Sequence, residues 1–81
     1  MAWKKIKSRK IGNNISIIYK KENLTLELFR DALWRNQNMN VIVRDSSIES
    51  YESSLGKDIL VEYFDSKQEA LDFAKDYMRE N

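Results

Sequence analysis

Most of the side chains that could do chemistry lie near the N-terminus, in a short basic segment that follows Trp3. Five of the seven residues from Lys4 to Lys10 are cationic. Cations at this density favour contact with phosphates, and an aromatic ring beside them can stack on a base. The residues that would bind nucleic acid in this way are Trp3, Lys4, Lys5, Lys7, Arg9, Lys10, Lys20 and Lys21. The alternative is structural, because lysines also protect an edge strand from aggregation.

Catalytic chemistry is limited by the residue types that the sequence lacks. The chain contains neither cysteine nor histidine, which excludes thiol nucleophiles, zinc–thiolate sites and histidine-based catalytic triads. Its two glycines, Gly12 and Gly56, lie too far apart for a phosphate-binding loop. A domain of 81 residues also has little room for a substrate cleft. We therefore expect a protein that is not an enzyme and that holds no cofactor.

A group of carboxylates in the second half of the chain could in principle hold a cation. Its members are Asp45, Glu49, Glu52 and Asp58. Their spacing is not that of a calcium-binding EF-hand loop. Five of the eleven residues from Asp45 to Leu55 are serine, and this composition is typical of a solvated loop. We therefore expect no metal site.

Positive charge is concentrated in the first half of the chain and negative charge in the second. Residues 1–44 contain ten Lys or Arg and three acids, whereas residues 45–81 contain four and ten. The net charge is only +1. A chain polarised in this way can neutralise itself in the fold, associate head to tail, or present two different faces to partners.

The N-terminal segment is predicted to form a β-hairpin. Residues 3–10 give the first strand, and Gly12 and the two asparagines after it tolerate the positive φ of a tight turn. Ile15, Ile17 and Tyr19 then alternate with Ser16, Ile18 and Lys20, which is the periodicity of a strand.

Residues 24–36 are predicted to form a helix, with Asn23 or Thr25 as its N-cap. Their apolar side chains form one broad stripe at helical spacing. The stripe consists of Leu24, Leu26, Leu28, Phe29, Ala32 and Leu33. Trp34 falls outside it, on the polar side, and is a candidate exposed anchor for a partner.

The remainder of the chain is predicted to contain two strands and a C-terminal helix. Residues 41–43 and 58–64 are rich in β-branched and aromatic types, which favours strands. Between them, residues 45–56 fit a short helix that begins at Ser46 and ends at Gly56, and fit an irregular loop equally well. Ser66 and Glu69 have the spacing of a capping box, and the apolar residues that follow predict an amphipathic helix.

These elements would occur in the order β-β-α-β-(α?)-β-α within a single domain, residues 1–81. We expect an α+β fold, a two-layer α/β sandwich. Two helices would cover one face of a roughly four-stranded, mostly antiparallel sheet.

The other face of that sheet would be open. Alternation in the strands directs Ile18, Lys20, Ile42 and Arg44 away from the helices. The strand over 58–64 adds apolar residues to this face in either orientation. Apolar surface of this kind usually marks an interface, unless the 45–56 segment covers it.

The leading hypothesis is therefore a small regulatory or interaction protein. It would bind a protein partner, or itself as a homodimer, through Ile18, Ile42, Arg44 and Trp34. The alternative is nucleic-acid binding by the basic hairpin. The absence of cysteine and of a long apolar run favours a cytoplasmic location, with no membrane partner. The abundance of Lys, Asn and Ile is typical of an AT-rich genome and favours a bacterial, phage or mobile-element source.

Overall fold

Five antiparallel strands and one helix make up the residues that the computed structural model describes, which are 2–30, 39–48 and 56–81. The elements are β1 (Lys4–Ile11), β2 (Asn14–Lys21), β3 (Leu24–Arg30), β4 (Met39–Asp45), β5 (Lys57–Phe64) and α1 (Lys67–Glu80). The strands lie side by side in the order of the chain, so each pairs with its sequence neighbours and β1 and β5 are the two edges.

The predicted N-terminal hairpin is confirmed. β1 and β2 pair from Lys4 opposite Lys20 to Ile11 opposite Asn14. Gly12 has a φ of 59°, in the left-handed region that glycine adopts without strain, and no atom approaches the position that a Cβ would occupy there.

The predicted helix over 24–36 is wrong in its first part, because residues 24–30 form strand β3. Leu26 and Leu28 point into the core and are fully buried, while Glu27 between them points to the opposite face. Leucines at every second position fit a strand as well as the broad helical stripe, and pairing with strands on both sides favours the strand. Residues 31–36, including Trp34, lie outside the described residues.

The two expected helix caps have other roles. Asn23 lies in the turn between β2 and β3, next to Glu22, whose φ is 53°. The Asn23 carbonyl oxygen accepts hydrogen bonds from the Ser46 amide at 2.9 Å and the Ser46 hydroxyl at 3.2 Å. Thr25 is a buried residue of β3. Ser46, the expected start of a second helix, therefore ties two turns together.

The expected architecture of four strands and two helices is wrong on both counts for the described part of the chain. A five-stranded sheet with one helix on one face replaces it. Residues 46–48 form a turn after β4, and the 49–55 part of the uncertain segment lies outside the described residues. Gly56, just before β5, has a φ of 105°, and an added Cβ would lie 2.2 Å from the Asp45 carbonyl oxygen.

The C-terminal helix is confirmed. The Ser66 hydroxyl caps its N-terminus by accepting a hydrogen bond from the Glu69 amide at 3.2 Å. Two alanines, Ala70 and Ala74, are buried against the sheet because their small side chains allow close approach. The core below the helix consists of Ile15, Leu26, Leu28, Met39, Val41 and Val43.

The helix leaves one edge of the sheet uncovered. α1 packs over β3, β4 and β5. At the opposite edge, all eight residues of β1 are exposed. The sheet therefore has a covered face, a face without a helix in the described structure, and a bare edge at β1.

Candidate functional site

The open face, defined as the sheet face opposite α1, carries three rows of side chains that run across the strands. Residues paired across antiparallel strands share a face, so the ladder register assigns each row. The first row is Arg9, Ser16, Phe29, Asn40 and Tyr63; the second is Lys7, Ile18, Glu27, Ile42 and Val61; the third is Lys4, Lys20, Thr25, Arg44 and Asp58. The expected orientation of Ile18, Lys20, Ile42 and Arg44 is thereby confirmed.

The centre of the open face is occupied by an ion-pair network across four strands. The Arg44 guanidinium donates to Glu27 Oε1 at 3.1 Å and to Asp58 Oδ1 at 3.0 Å. Ser16 Oγ donates to the other carboxylate oxygen of Glu27 at 3.0 Å. The Arg44 side chain is only 14% exposed. Its positive charge is therefore largely shielded from water, and the two carboxylates supply the opposite charges that it needs there.

The residues expected to bind a protein partner lie in or beside this network. Ile18 is half-buried and Ile42 is 8% exposed. Arg44 already holds two carboxylates, and Trp34 is outside the described residues. The structure thus brings Ile18, Ile42 and Arg44 together on one face, but they offer little accessible apolar surface.

The basic hairpin, defined as residues 4–21, holds seven Lys or Arg and no acid. Lys4, Lys7, Arg9 and Lys20 project from the open face. The ion pairs in the described structure involve other cations, Arg44 and Arg79, so these four side chains are not neutralised by a carboxylate.

The remaining cations of the basic hairpin lie on the other side of the sheet. The register places Lys5 opposite Tyr19 and Lys10 opposite Ile15, on the covered face. Lys21 donates a hydrogen bond to the main-chain oxygen of Asn81, at the end of α1. The eight residues expected to bind nucleic acid are therefore divided between two faces.

A groove of about 390 Å³ lies on the open face beside these cations. Its lining includes three cations (Lys7, Arg9 and Arg30), the ring of Phe29 and one acid, Glu27. The Glu27 carboxylate is already engaged by Arg44 and Ser16, so the groove has a net positive charge. Arg30, which lines the groove, donates a hydrogen bond from Nε to the Asn13 carbonyl oxygen at 3.2 Å.

The aromatic residue of this site is not the one that the sequence suggested. Trp3 packs edge-on against Tyr77 of α1, with 6.3 Å between ring centroids, and its half-buried ring belongs to the core. The Lys5 ammonium lies 5.8 Å from the centre of the Tyr19 ring. Phe29 was missed because it was placed in a helix; the alternation of Leu24, Leu26 and Leu28 would have put it on the open face.

The opposite edge of the open face is apolar. In β5, Ile59 is 46% exposed, Val61 40% and Tyr63 55%. Leu60 and Phe64 of the same strand pack against the core instead. Ile59 has no partner on β4, because Val43 pairs with Leu60 and Arg44 with Asp58, so a β-bulge lies there.

The carboxylates considered as cation ligands are used for other contacts where they are described. Asp45 Oδ1 accepts from the Ser47 hydroxyl at 2.6 Å and the Ser47 amide at 2.9 Å, and these bonds hold the pKa of Asp45 below its ordinary value. Asp58 pairs with Arg44, while Glu49 and Glu52 lie outside the described residues. The described residues contain no group of three or more acidic side chains placed to hold a metal ion.

Comparison with other proteins adds no functional information. The sequence matches no protein-family model, and it matches neither a curated protein nor a solved structure. None of the helices in residues 2–30, 39–48 and 56–81 has the length and apolar character needed to cross a bilayer.

Proposed function

We propose that this protein binds nucleic acid, through phosphate contacts from the open face of the basic hairpin. The observation that supports this most directly is that Lys4, Lys7, Arg9 and Lys20 share one face without an acidic partner among the described residues. Such a group of cations attracts a polyanion by releasing its condensed counterions. Two of these cations, Lys7 and Arg9, also line the groove, where Arg30 adds a third positive charge.

The two edges of the sheet differ in a way that favours binding over edge protection. Lysines that only prevented aggregation would be needed most at the apolar edge. Yet β5, with its exposed apolar side chains, has a single lysine at its first residue. β1 has five cations and only two apolar residues. The lysines are thus concentrated at the edge with two exposed apolar side chains, Ile6 and Ile11, and not at the edge with three.

The geometry predicts the kind of recognition. Lys7 and Arg9 are two residues apart on one face of a strand, so their Cα atoms are separated by about 7 Å along it. Contacts to phosphates position a protein but carry no sequence information, so we expect binding with little sequence preference. A cytoplasmic location, as expected from the sequence, would give the protein access to such ligands.

A protein partner at the centre of the open face has less support. Ile42 is nearly buried and Arg44 is paired twice, so covering them would remove little apolar area from water. Apolar side chains that a partner could cover are exposed at β5 instead.

The proposal is tested by fluorescence anisotropy at about 50 mM salt, with labelled single-stranded DNA, duplex DNA and RNA of mixed sequence. Vesicles containing phosphatidylserine form a fourth ligand. We expect oligonucleotide binding with a Kd of about 1–100 μM, which is the range of non-specific contacts. Binding to vesicles with no binding to any oligonucleotide would overturn the proposal.

Two double variants that each remove two positive charges identify the surface that binds nucleic acid. Lys7→Gln with Arg9→Gln removes two groove cations, and we expect affinity to fall about tenfold or more at this salt concentration. Lys67→Gln with Lys75→Gln lowers the net charge equally on the exposed face of α1, and should change affinity by less than about twofold. Equal losses in both variants would show attraction by net charge alone and contradict an interface on the hairpin.

A second control separates the two faces of β1. Lys5→Gln with Lys10→Gln removes cations of the same strand that lie on the covered face. We expect about a threefold loss or less, because these side chains act on the ligand only at a distance. A loss as large as that of the Lys7 and Arg9 variant would contradict the assignment to the open face.

A further inference from the structure

The edge strand β5 has the features of a protein interface whose partner is absent from the described sheet. Three of the large apolar side chains that are exposed in the described structure, Ile59, Val61 and Tyr63, lie on this single strand. Because β5 is an edge, its outer backbone groups have no partner strand in the described sheet. Native proteins usually blunt such an edge with charges or proline. β5 has no proline, and of its three charged residues Lys57 lies at the first position, Asp58 pairs with Arg44, and Glu62 alone lies between the exposed apolar side chains.

We propose that β5 pairs antiparallel with β5 of a second copy of this chain, forming a two-fold dimer with a continuous ten-stranded sheet. A two-fold axis perpendicular to the sheet places both helices on one side and both open faces on the other. In such an isologous contact the same surface patch meets itself, so the apolar side chains of β5 cover one another.

The side chains of β5 select one register for this pairing. With Val61 opposite Val61 across the axis, Ile59 of each copy meets Tyr63 of the other, and the exposed apolar residues pair among themselves. Lys57 of each copy then lies opposite Asp65 of the other copy. Opposite charges therefore meet at both ends of the paired strands.

The neighbouring registers are less favourable. Centring the pair on Glu62 places two carboxylates directly opposite each other, which is destabilising. Centring it on Tyr63 sets Val61 against Asp65. Centring it on Leu60 sets Asp58 of each copy against Glu62 of the other, which again places like charges opposite each other.

The dimer is independent of the nucleic-acid proposal but has a consequence for it. β1 is the edge farthest from β5, so the two basic hairpins would lie at opposite ends of the joined sheet. Nine strand spacings separate them, roughly 40 Å in a flat sheet. One dimer would present two cationic surfaces on the same side.

Disulfide trapping tests the register, since the chain has no cysteine of its own. Val61→Cys brings two thiols to the axis, and directly opposed strand residues have Cβ atoms close enough for a disulfide. We expect mild oxidation to give a covalent dimer in high yield. Lys7→Cys, exposed on the opposite edge, should remain monomeric on a denaturing gel. No cross-linking of Val61→Cys, or equal cross-linking of both, would overturn the proposal.

Sedimentation equilibrium tests the dimer itself. The unmodified chain should show a mass about twice 9.7 kDa at about 100 μM, and Val61→Lys should return it to the monomer mass with an unchanged circular dichroism spectrum. Ile11→Lys is the matched control, because Ile11 is equally apolar and 58% exposed but lies on β1; this variant should stay dimeric. A monomeric parent, an open-ended series of larger species, or a Val61→Lys dimer would each contradict the proposal.

Discussion

Arg44 is the residue on which the centre of the open face depends. Its guanidinium joins β4 to Glu27 on β3 and Asp58 on β5, and the Glu27 side chain is only 18% exposed. The sequence predicts the side of the sheet on which Arg44 lies, because alternation along β4 is clear. Its pairing with Glu27 was not predictable, since residues 24–30 also satisfied a helical pattern.

Removing Arg44 should therefore cost more than removing a surface arginine. Arg44→Met keeps much of the side-chain volume but leaves the Glu27 carboxylate with the Ser16 hydroxyl as its donor among the described residues, and we expect a loss of about 2–3 kcal/mol in the free energy of unfolding. Arg79→Met breaks an ion pair with Asp76 whose side chains are 74% and 61% exposed, and should cost less than about 0.5 kcal/mol. Urea denaturation followed by tryptophan fluorescence measures both. Equal losses would show that the network is no stronger than a surface pair.

The helix α1 is the element whose sequence pattern was least ambiguous. Its capping box, its apolar stripe and its length all agree with the structure, because a helix packed on one face has a 3.6-residue period that a strand cannot imitate over 14 residues. The strand β3 shows the opposite case. Its seven residues have apolar side chains on both faces, so their pattern fits the period of a helix as well as that of a strand. Only pairing with the neighbouring strands β2 and β4 decides between the two structures.

The packing of α1 can be tested at its closest contact with the sheet. Ala74 is 1% exposed, so Ala74→Asp would bury a carboxylate without a partner at a cost of several kcal/mol. A domain of this size has a total stability of about 5 kcal/mol, and we expect this variant to be unfolded at room temperature. Asp76→Ala on the exposed face should change stability by less than about 0.5 kcal/mol. Thermal melts followed by circular dichroism give the answer, and a parent-like melt for Ala74→Asp would show that α1 does not pack as described.

At the scale of the whole molecule, the two edges of the sheet have opposite character. β1 is basic and exposed along its whole length, whereas β5 carries exposed apolar side chains. The charge imbalance between the halves of the chain is visible in the sequence, and it predicts two different surfaces. That these surfaces are the two ends of one sheet could not be predicted, because it requires knowing that all five strands follow one another in sequence order.

The central claim is that cations of the basic hairpin bind phosphates, and the salt dependence of affinity tests it most directly. Four contacts, from Lys4, Lys7, Arg9 and Lys20, predict that log K against log salt concentration falls with a slope of about −3 for a single-stranded oligonucleotide. Removing two of them in Lys7→Gln with Arg9→Gln should halve the slope to about −1.4. An affinity that does not change between about 50 and 200 mM salt, or a slope that is the same in the variant as in the parent, would contradict the account.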